Sequence, residues 1–208
     1  GAAGVSLTLA DSATLIVGPV TTADLGSGTV AFENLSITNS FDVTLSAIEL
    51  AGGLWIDNPA GLTDLLGPVQ AGAAELQVDT LRIWNSFTVT AGPLLITASQ
   101  PVHLGLPGQG PASIDTSGFD FRLTSAVLAG VPLVLEPGST VHSSLPGGVF
   151  QIRPLDPLTS IDVGSAGLGL QIAPELLAAA TGFDAILLGD LLQQGNIRIE
   201  APVAAGTG

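Results

Sequence analysis

Cysteine, methionine and lysine are all absent from this 208-residue sequence. Without cysteine there are no disulfides, no thiol catalysis and no thiolate metal sites, so stability must come from packing and backbone hydrogen bonds. Many large secreted proteins lack cysteine, and an extracellular location is therefore compatible with this composition. Without lysine, the four arginines are the only permanently cationic side chains: Arg82, Arg122, Arg153 and Arg198.

Positive charge is scarce as well. Four arginines face eighteen Asp and Glu residues, which gives a net charge of −14. A field of this sign repels phosphate backbones and anionic lipid headgroups, so the composition argues against nucleic-acid binding and against electrostatic docking on membranes. Charged residues make up only 11% of the chain while hydrophobic residues make up 46%. This composition is that of a folded protein, because disorder requires low hydrophobicity.

No stretch of the sequence has the character of a membrane span. One window, residues 83–114, contains no Asp, Glu, Lys or Arg. It is interrupted by Asn85, Pro93, Gln100, Pro101 and Pro107, which a spanning helix would not tolerate together.

Strand signals dominate the chain, with apolar residues alternating with small or polar ones and with Gly or Pro about every ten residues. One helix is predicted near 174–181, where Pro174 suits the first turn, Glu175 favours the positive end and Gly182 stops the helix. A weaker helical turn is predicted at 61–66 and a short turn at 189–194. Strands are predicted at 5–10, 13–18, 28–37, 41–50, 75–83, 87–91, 93–98, 121–126, 132–137, 148–154, 160–164, 168–172, 185–189 and 196–203.

One short segment occurs twice. Residues 35–44 read LSITNSFDVT and residues 81–90 read LRIWNSFTVT, with seven of ten positions identical. Stacked strand units repeat in this way, and the 46-residue offset corresponds to about two turns of a β-solenoid. We therefore predict an all-β, right-handed parallel β-solenoid, with an Ig-like β-sandwich as the alternative. Phe41 and Phe87 should stack two turns apart, and the Asn-Ser pair of each copy should form a corner ladder.

Residues 167–203, GLGLQIAPELLAAATGFDAILLGDLLQQGNIRIEAPV, resemble a unit of filamentous-haemagglutinin-like exoproteins and related large bacterial adhesins. The shared pattern is an apolar strand (LGLQI), a short helix (PELLAAA), a strand ending in Leu-Gly (AILLG), a small loop and a strand ending at Ala-Pro. The resemblance implies a right-handed parallel β-helix that Gram-negative bacteria export as a surface stalk or adhesin. It implies no catalytic residues.

These observations predict a single β-solenoid domain over residues 1–208, or a segment of a longer rod. The start at Gly1, without Met or a signal-like segment, suggests a processed or excised piece. The predicted function is a non-enzymatic, secreted structural or adhesive protein of a bacterial surface. Two alternatives stay open: a self-assembling subunit of an extracellular filament or biofilm fibre, and a polysaccharide-acting β-helix enzyme.

The sequence contains no recognisable catalytic motif: HExxH, GxSxG, a phosphate-binding loop and a dinucleotide-binding glycine pattern are all missing. Calcium-loop motifs are missing too, and we predict neither a cofactor nor a metal. His103 and His142 are interpreted as strand residues that face solvent. A polysaccharide enzyme would need a pair of carboxylates. The pairs to test are Asp115 with Asp120, Asp156 with Asp162, and Asp184 with Asp190, which we interpret as solvated turn residues.

Trp55 and Trp84 are the candidate contacts for a partner or a glycan, because exposed aromatic rings stack on sugars. Trp84 is out of phase with Leu81 and Ile83, which predicts that it points outward or into a corner. The expected partners are further copies or neighbouring segments of a longer chain, and a surface glycan or protein receptor. Arg82 and Arg198 are predicted to be solvent-facing residues that keep strand edges soluble.

Overall fold

The structure is a computed structural model that describes residues 14–17, 22–24, 30–32, 34–38, 42–164 and 167–200, the first three segments by their backbone alone. It is mostly β, with long parallel sheets and one short helix. The Ig-like sandwich is not supported, because every pairing between the described strands is parallel and such a sandwich is antiparallel.

The strands form three rows, and up to residue 154 the chain passes through the first, second and third row in turn before it returns to the first. The first row contains β1 (Thr14–Val17), β4 (Asn34–Thr38), the first half of β7 (Gly53–Leu65), the first half of β9 (Ala73–Ile83), β11 (Leu94–Ala98), β14 (Phe121–Ser125), β17 (Val149–Pro154) and β21 (Ala185–Leu188). The second row contains β2 (Thr22–Asp24), β5 (Asp42–Leu45), the second halves of β7 and β9, β12 (Val102–Leu104) and β15 (Leu133–Leu135). The third row contains β3 (Val30–Phe32), β6 (Ile48–Leu50), β8 (Val69–Ala71), β10 (Ser86–Val89), β13 (Ser113–Asp115), β16 (Thr140–His142) and β20 (Ala180–Thr181).

A smaller sheet extends the later part of the molecule. Its strand order is β19 (Leu170–Ile172), β18 (Ile161–Val163) and β22 (Ile197–Ile199), all parallel. The helix α1 (Pro174–Ala179) lies between β19 and β20. Among the described residues, no helix has the length and apolar character needed to cross a membrane.

We call one passage through the three rows a rung. In the first row, Leu35, Leu54, Ala74 and Leu94 pair in register at intervals of 19 or 20 residues. The next positions in this column are residues 121, 150 and 186, at intervals of 27, 29 and 36. The later rungs therefore contain longer connections, although their strands keep the same register. This arrangement is compatible with a β-solenoid.

The core lies between the rows and is built mainly by alternation along each strand. The inward side chains of β4, β9 and β11 are apolar and at most 4% exposed, whereas β7 also buries Asn58 and Thr63 and β14 also buries Thr124 and Ser125. Phe121 and Phe150 stack with ring centroids 4.8 Å apart, and Phe183 continues this stack at 5.6 Å from Phe150. Each rung thus covers the apolar side chains of the one before it, as expected when no rung can bury them alone.

The prediction that the two copies of the doubled segment occupy equivalent positions two turns apart is wrong. Leu35 lies in the first row, whereas Leu81 lies in the second row, in the column of Val43. Phe87 lies in the third row and pairs with Val69 and Ile114. Phe41 and the first Asn-Ser pair lie outside the described residues, but Val43 is placed in the second row and Phe87 in the third. The two copies therefore occupy different faces, and the 46-residue offset is not a whole number of rungs.

The helix is confirmed, but it ends earlier than predicted, because residues 180–181 form β20. The predicted helical turn at 61–66 is wrong, since residues 61–65 continue β7. A turn at 191–192 is confirmed, and the predicted strand at 5–10 lies outside the described residues. The second Asn-Ser pair does lie at a corner. Asn85 is exposed there and caps the Ser86 amide at 2.8 Å, so it does not form a buried ladder.

Candidate functional site

The second row presents a column of outward side chains with unusual chemical variety. Thr44, Asp64, Arg82, His103 and Val134 pair in register on successive rungs, and each is partly exposed. Outward positions in a strand alternate with the buried ones, so the core fixes which residues appear here. An acid, a cation and an imidazole thus follow one another on neighbouring strands.

Trp84 lies beside this column, at the corner between β9 and β10. Its indole Nε1 donates a hydrogen bond to Asp64 Oδ1 at 3.2 Å, and its backbone amide donates to the Leu65 carbonyl at 2.9 Å. The predicted corner position is confirmed. Because ring and backbone are both tied to the preceding rung, the indole is held in one orientation before any ligand arrives.

A groove of about 450 Å³ runs along these residues. Its walls include Arg82, Trp84, His103, Gln109 and Glu136, and we call it the Trp84 groove. One side is formed by the loop after β12, where Gly105 adopts a φ of +72° that favours glycine. A flat indole combined with several hydrogen-bonding groups suits a ligand with both an apolar face and hydroxyl groups.

His103 is the titratable group of the groove whose pKa is displaced. Partial burial opposes its protonation, and the neighbouring Arg82 charge adds to this effect, so the pKa of His103 lies below its ordinary value. The imidazole is therefore neutral at pH 7. A neutral imidazole can donate one hydrogen bond and accept another, which is useful toward a hydroxyl group.

Trp55 lies on a different face, in the first row. It is 44% exposed, and its ring folds over Gly53, where an added Cβ would overlap the ring carbons. Its register neighbours are Ser36 and Glu75. The structure therefore does not bring the two tryptophans together, and Trp55 offers an open platform whereas Trp84 lines a groove.

Three of the paired aspartates, Asp115, Asp120 and Asp156, brace turns. Asp115 Oδ1 accepts hydrogen bonds from the amides of Ser117 and Ser144, both at 2.9 Å. Asp120 Oδ1 accepts one from the Val149 amide at 2.9 Å, and so links two rungs. Asp156 Oδ1 caps the Leu158 amide. These bonds agree with the interpretation as turn residues.

Asp162 departs from that interpretation, because its side chain is only 5% exposed. It accepts a hydrogen bond from the Gly169 amide at 3.3 Å, and Arg198 Nε lies 3.9 Å from its Oδ1. Asp184 is exposed, and Asp190 forms an ion pair with Arg153 at 2.8 Å.

His142 Nε2 lies 3.8 Å from Asp115 Oδ2 on the outward side of the third row. Burial raises the pKa of Asp115, but the amides of Ser117 and Ser144 and the His142 charge outweigh it and hold that pKa below its usual value. His142 and His103 both lie in strands, as predicted, and are partly exposed.

The carboxylates are dispersed among the grooves. The Trp84 groove contains Glu136, and three further grooves contain Asp162, Asp184 and Asp190 respectively. Each of these four grooves is lined by a single carboxylate, whereas glycosidic cleavage uses two. Within the described part of the chain, no group of three His, Asp or Glu residues is placed to hold a metal ion.

A further groove, of about 730 Å³, lies at the last rung of the described residues. Its wall is apolar apart from Asp184 and two serines, and it includes Leu177, Phe183, Ile186 and Ile199. Phe183 and Ile186 are partly buried against the core but remain accessible from this end. Sequence reasoning missed this surface because it depends on which strand is the outermost.

The prediction for the two arginines holds only in part. Arg198 is 61% exposed on β22, which is an edge strand of the small sheet. Arg82 lies in β9, which has a neighbouring strand on both sides, so it does not protect an edge.

Fold and groove together define a mostly β protein with parallel strand rows and a tryptophan-lined groove on one outward face. No protein-family model matches the chain, and no curated protein or solved structure matches it either. The resemblance to filamentous-haemagglutinin-like exoproteins therefore stays a prediction.

Proposed function

We propose that this chain is a right-handed parallel β-solenoid that serves outside the cell as a non-enzymatic structural and adhesive element of a bacterial surface protein. The parallel register of the three rows supports the solenoid, and right-handed crossovers are the rule between parallel strands of one sheet. Stacked rungs form a stiff support on which outward side chains keep fixed positions.

The Trp84 groove is the observation that supports an adhesive role. Its indole is anchored to Asp64, and Arg82, His103 and Gln109 provide hydrogen-bonding groups around it. Sugars bind proteins through this combination, since one ring face stacks on an aromatic residue while the hydroxyl groups meet polar side chains. The proposed ligand of the groove is a glycan.

The test is a titration of the protein with neutral hexose and N-acetylhexosamine oligosaccharides, followed by intrinsic fluorescence and calorimetry. Trp84→Ala should weaken binding about tenfold or more, because the stacking platform is lost. Trp55→Ala is the matched control, since it removes the other indole from a different row, and it should bind as the parent does.

Equal affinities of the parent and Trp84→Ala would contradict the groove as the binding site. The absence of binding for every oligosaccharide of the panel at millimolar concentration would contradict the adhesive role. Melting temperatures of both variants should accompany the titrations, so that loss of the fold is not mistaken for loss of contact.

A second function, a self-assembling filament subunit, is favoured by the groove at the last rung. Its apolar wall is what a further rung would cover, and Asp184 is its one charged residue in a chain of net charge −14. The proposed occupant is a rung of a second copy. A head-to-tail contact of this kind does not close on itself and generates filaments.

Sedimentation and electron microscopy across a concentration series test this alternative. Ile199→Glu, at a 60% exposed position of that groove, should prevent assembly. Leu128→Glu, 66% exposed and outside that groove, should not. Monomers at every concentration would contradict the filament. The third alternative, a polysaccharide-acting enzyme, is tested by the appearance of reducing ends in the same oligosaccharide mixtures.

A further inference from the structure

Two of the four arginines lie together on the outward side of the first row. Arg122 in β14 pairs in register with Gln151 in β17, and Arg153 pairs with Thr124. The two arginines are thus on adjacent strands and two positions apart. Half of the permanent positive charge of the chain is concentrated on this small part of one face.

Arg122 is fixed by neutral groups. Its Nε donates to Gln151 Oε1 at 2.8 Å, and Gln151 Nε2 in turn donates to the Gly189 carbonyl at 2.7 Å. Within the described residues, neither terminal guanidinium nitrogen of Arg122 forms a hydrogen bond or an ion pair. A partly buried guanidinium thus keeps its two terminal NH₂ groups available, although the chain has eighteen acidic residues.

Arg153 is oriented in the same manner. Its Nε donates to Thr124 Oγ1 at 3.0 Å, and its Nη1 donates to Asp190 Oδ2 at 2.8 Å. The Leu192 amide, together with Arg153, keeps the pKa of Asp190 below its ordinary value, so this carboxylate is ionised at neutral pH. The two arginines and Asp190 therefore leave one positive charge in excess.

These groups line a groove of about 460 Å³. Its rim is formed by Leu187, Leu191 and Leu192, which are 48%, 104% and 69% exposed. The groove therefore combines a fixed, unpaired cation with apolar side chains that are open to solvent.

The charge and shape favour one class of ligand. A single excess positive charge matches a monoanion better than a phosphate dianion, and the net charge of −14 disfavours polyanions such as nucleic acids. The planar fork of a guanidinium matches the two oxygens of a carboxylate. Exposed leucines suit the apolar face of a sugar ring.

We propose that the groove formed by Arg122, Gln151, Arg153 and the leucine rim binds a sugar that carries one carboxylate, with the carboxylate on the terminal nitrogens of Arg122. It is separate from the Trp84 groove and does not depend on it, because the two lie on different rows. Uronates and sialic acids both present this chemistry.

Calorimetry with galacturonic acid and its methyl ester tests the proposal, because each galacturonic acid carries one carboxylate and esterification removes its charge while adding only a methyl group. The acid should bind and the ester should bind about tenfold more weakly or not at all. Sialyllactose against lactose repeats the comparison for the other source of the carboxylate. Binding of one acidic sugar and not of the other identifies the source, and either result supports the site.

Two variants locate the site by different means. Arg122→Gln removes the cation and should reduce affinity for the acidic sugar about tenfold. Leu95→Glu keeps both arginines but places a carboxylate on the register neighbour of Arg122. This carboxylate should form an ion pair with the Arg122 guanidinium and so compete with the ligand. Leu95→Glu should lose acidic-sugar binding while its melting temperature stays that of the parent. It therefore shows that the loss of binding in Arg122→Gln is not caused by misfolding.

Trp84→Ala should bind the acidic sugar as the parent does. Equal binding of acid and ester, unchanged affinity in both Arg122→Gln and Leu95→Glu, or no binding of any acidic sugar at millimolar concentration would each overturn the proposal. If Trp84→Ala loses acidic-sugar binding while Arg122→Gln binds as the parent does, the ligand lies in the Trp84 groove. This result would also overturn the proposal. Failure of the neutral oligosaccharides alone would leave this result unaffected.

Discussion

Residues 34–104 and residues 105–200 share the same strand columns but differ in what joins one strand to the next. In the earlier region, the first row advances by 19 or 20 residues per rung, and in the later region by as many as 36. Every positive φ in the described chain lies at Gly105 or beyond. The strands of the earlier region are thus joined by short corners with negative φ angles. Those of the later region are joined by longer loops, many of which contain a glycine with a positive φ.

The two regions also differ in their exposed hydrophobic, charged and buried polar side chains. Of the twelve large hydrophobic side chains that are exposed in the described residues, only Trp55 and Leu66 precede residue 105. The three arginine–carboxylate pairs between described residues, the His142–Asp115 contact and six of the eight buried polar residues of the described chain lie in the later region. Regular stacking leaves little room for chemistry, and the inserted loops provide it. The earlier region is therefore the better support, and the later region carries more candidate surfaces.

The largest expected effect separates the two regions at the phenylalanine stack. Phe150→Ala should lower the free energy of unfolding by about 4 kcal/mol, because it leaves a cavity between Phe121 and Phe183. Rungs contact only their neighbours, so the loss should fall on the later region. Hydrogen exchange followed by mass spectrometry should show early opening of residues 105–200. Leu76→Ala is the control in the earlier region, and an equal loss of protection in both regions for Phe150→Ala would show one cooperative unit.

The next effect tests why the later region needs glycine. Gly148 and Gly108 both have a φ of +79°, but an added Cβ overlaps the Phe119 carbonyl at Gly148 and meets nothing within 4 Å at Gly108. Gly148→Ala should therefore lower the free energy of unfolding by about 3 kcal/mol and Gly108→Ala by about 1 kcal/mol. Urea unfolding measures both. Equal losses would mean that backbone conformation alone, and not the close contact between rungs, selects glycine.

Several features of the fold could be predicted from sequence, because they follow from alternation along single strands. The predominance of strands, the helix at Pro174 and the corner position of Trp84 belong to this group. The register could not be predicted from the doubled segment, since similar residues suit any corner between two apolar strands. A better signal is the dipeptide Ala-Gly at 51–52, 71–72 and 91–92, which repeats at the 20-residue interval of the earlier rungs. Its glycines lie where the rungs approach closely, and a Cβ at Gly72 would lie 2.7 Å from the Ala51 carbonyl oxygen.

The candidate sites were less accessible to sequence reasoning. His103, Arg82 and Asp64 are 18 to 21 residues apart and look unrelated until the register places them in one column. The groove that contains Arg122 and Arg153 depends on a 29-residue rung, whose length no periodic pattern predicts. The connections between strands vary in length, and this length decides which outward strand residues become register neighbours. It is set by the loop sequence rather than by the core.

A smaller effect concerns the polar interior of the earlier region. Asn58 and Thr63 are fully buried where β7 bends between the first and second rows, and Asn58 Nδ2 donates to Thr63 Oγ1 at 3.0 Å. Thr63→Val should lower the free energy of unfolding by about 2 kcal/mol, because the buried Asn58 amide loses the shorter of its two hydrogen bonds and keeps only the one to the Leu62 carbonyl at 3.4 Å. Thr63→Val combined with Asn58→Leu should recover most of this loss. No recovery in thermal unfolding would show that the bend itself requires the asparagine.

The smallest effect is a pH dependence at the boundary between the two regions. The pKa of His103 is lower in the folded protein than in the unfolded chain, first because of burial and then because of Arg82. As the pH falls below the ordinary histidine value, the unfolded chain takes up a proton before the folded one does, so stability is lost on acidification through this window. His103→Gln should flatten the melting temperature between pH 7 and pH 5, and Arg82→Gln should reduce its slope. An unchanged slope in His103→Gln would show that His103 is not the source of the dependence.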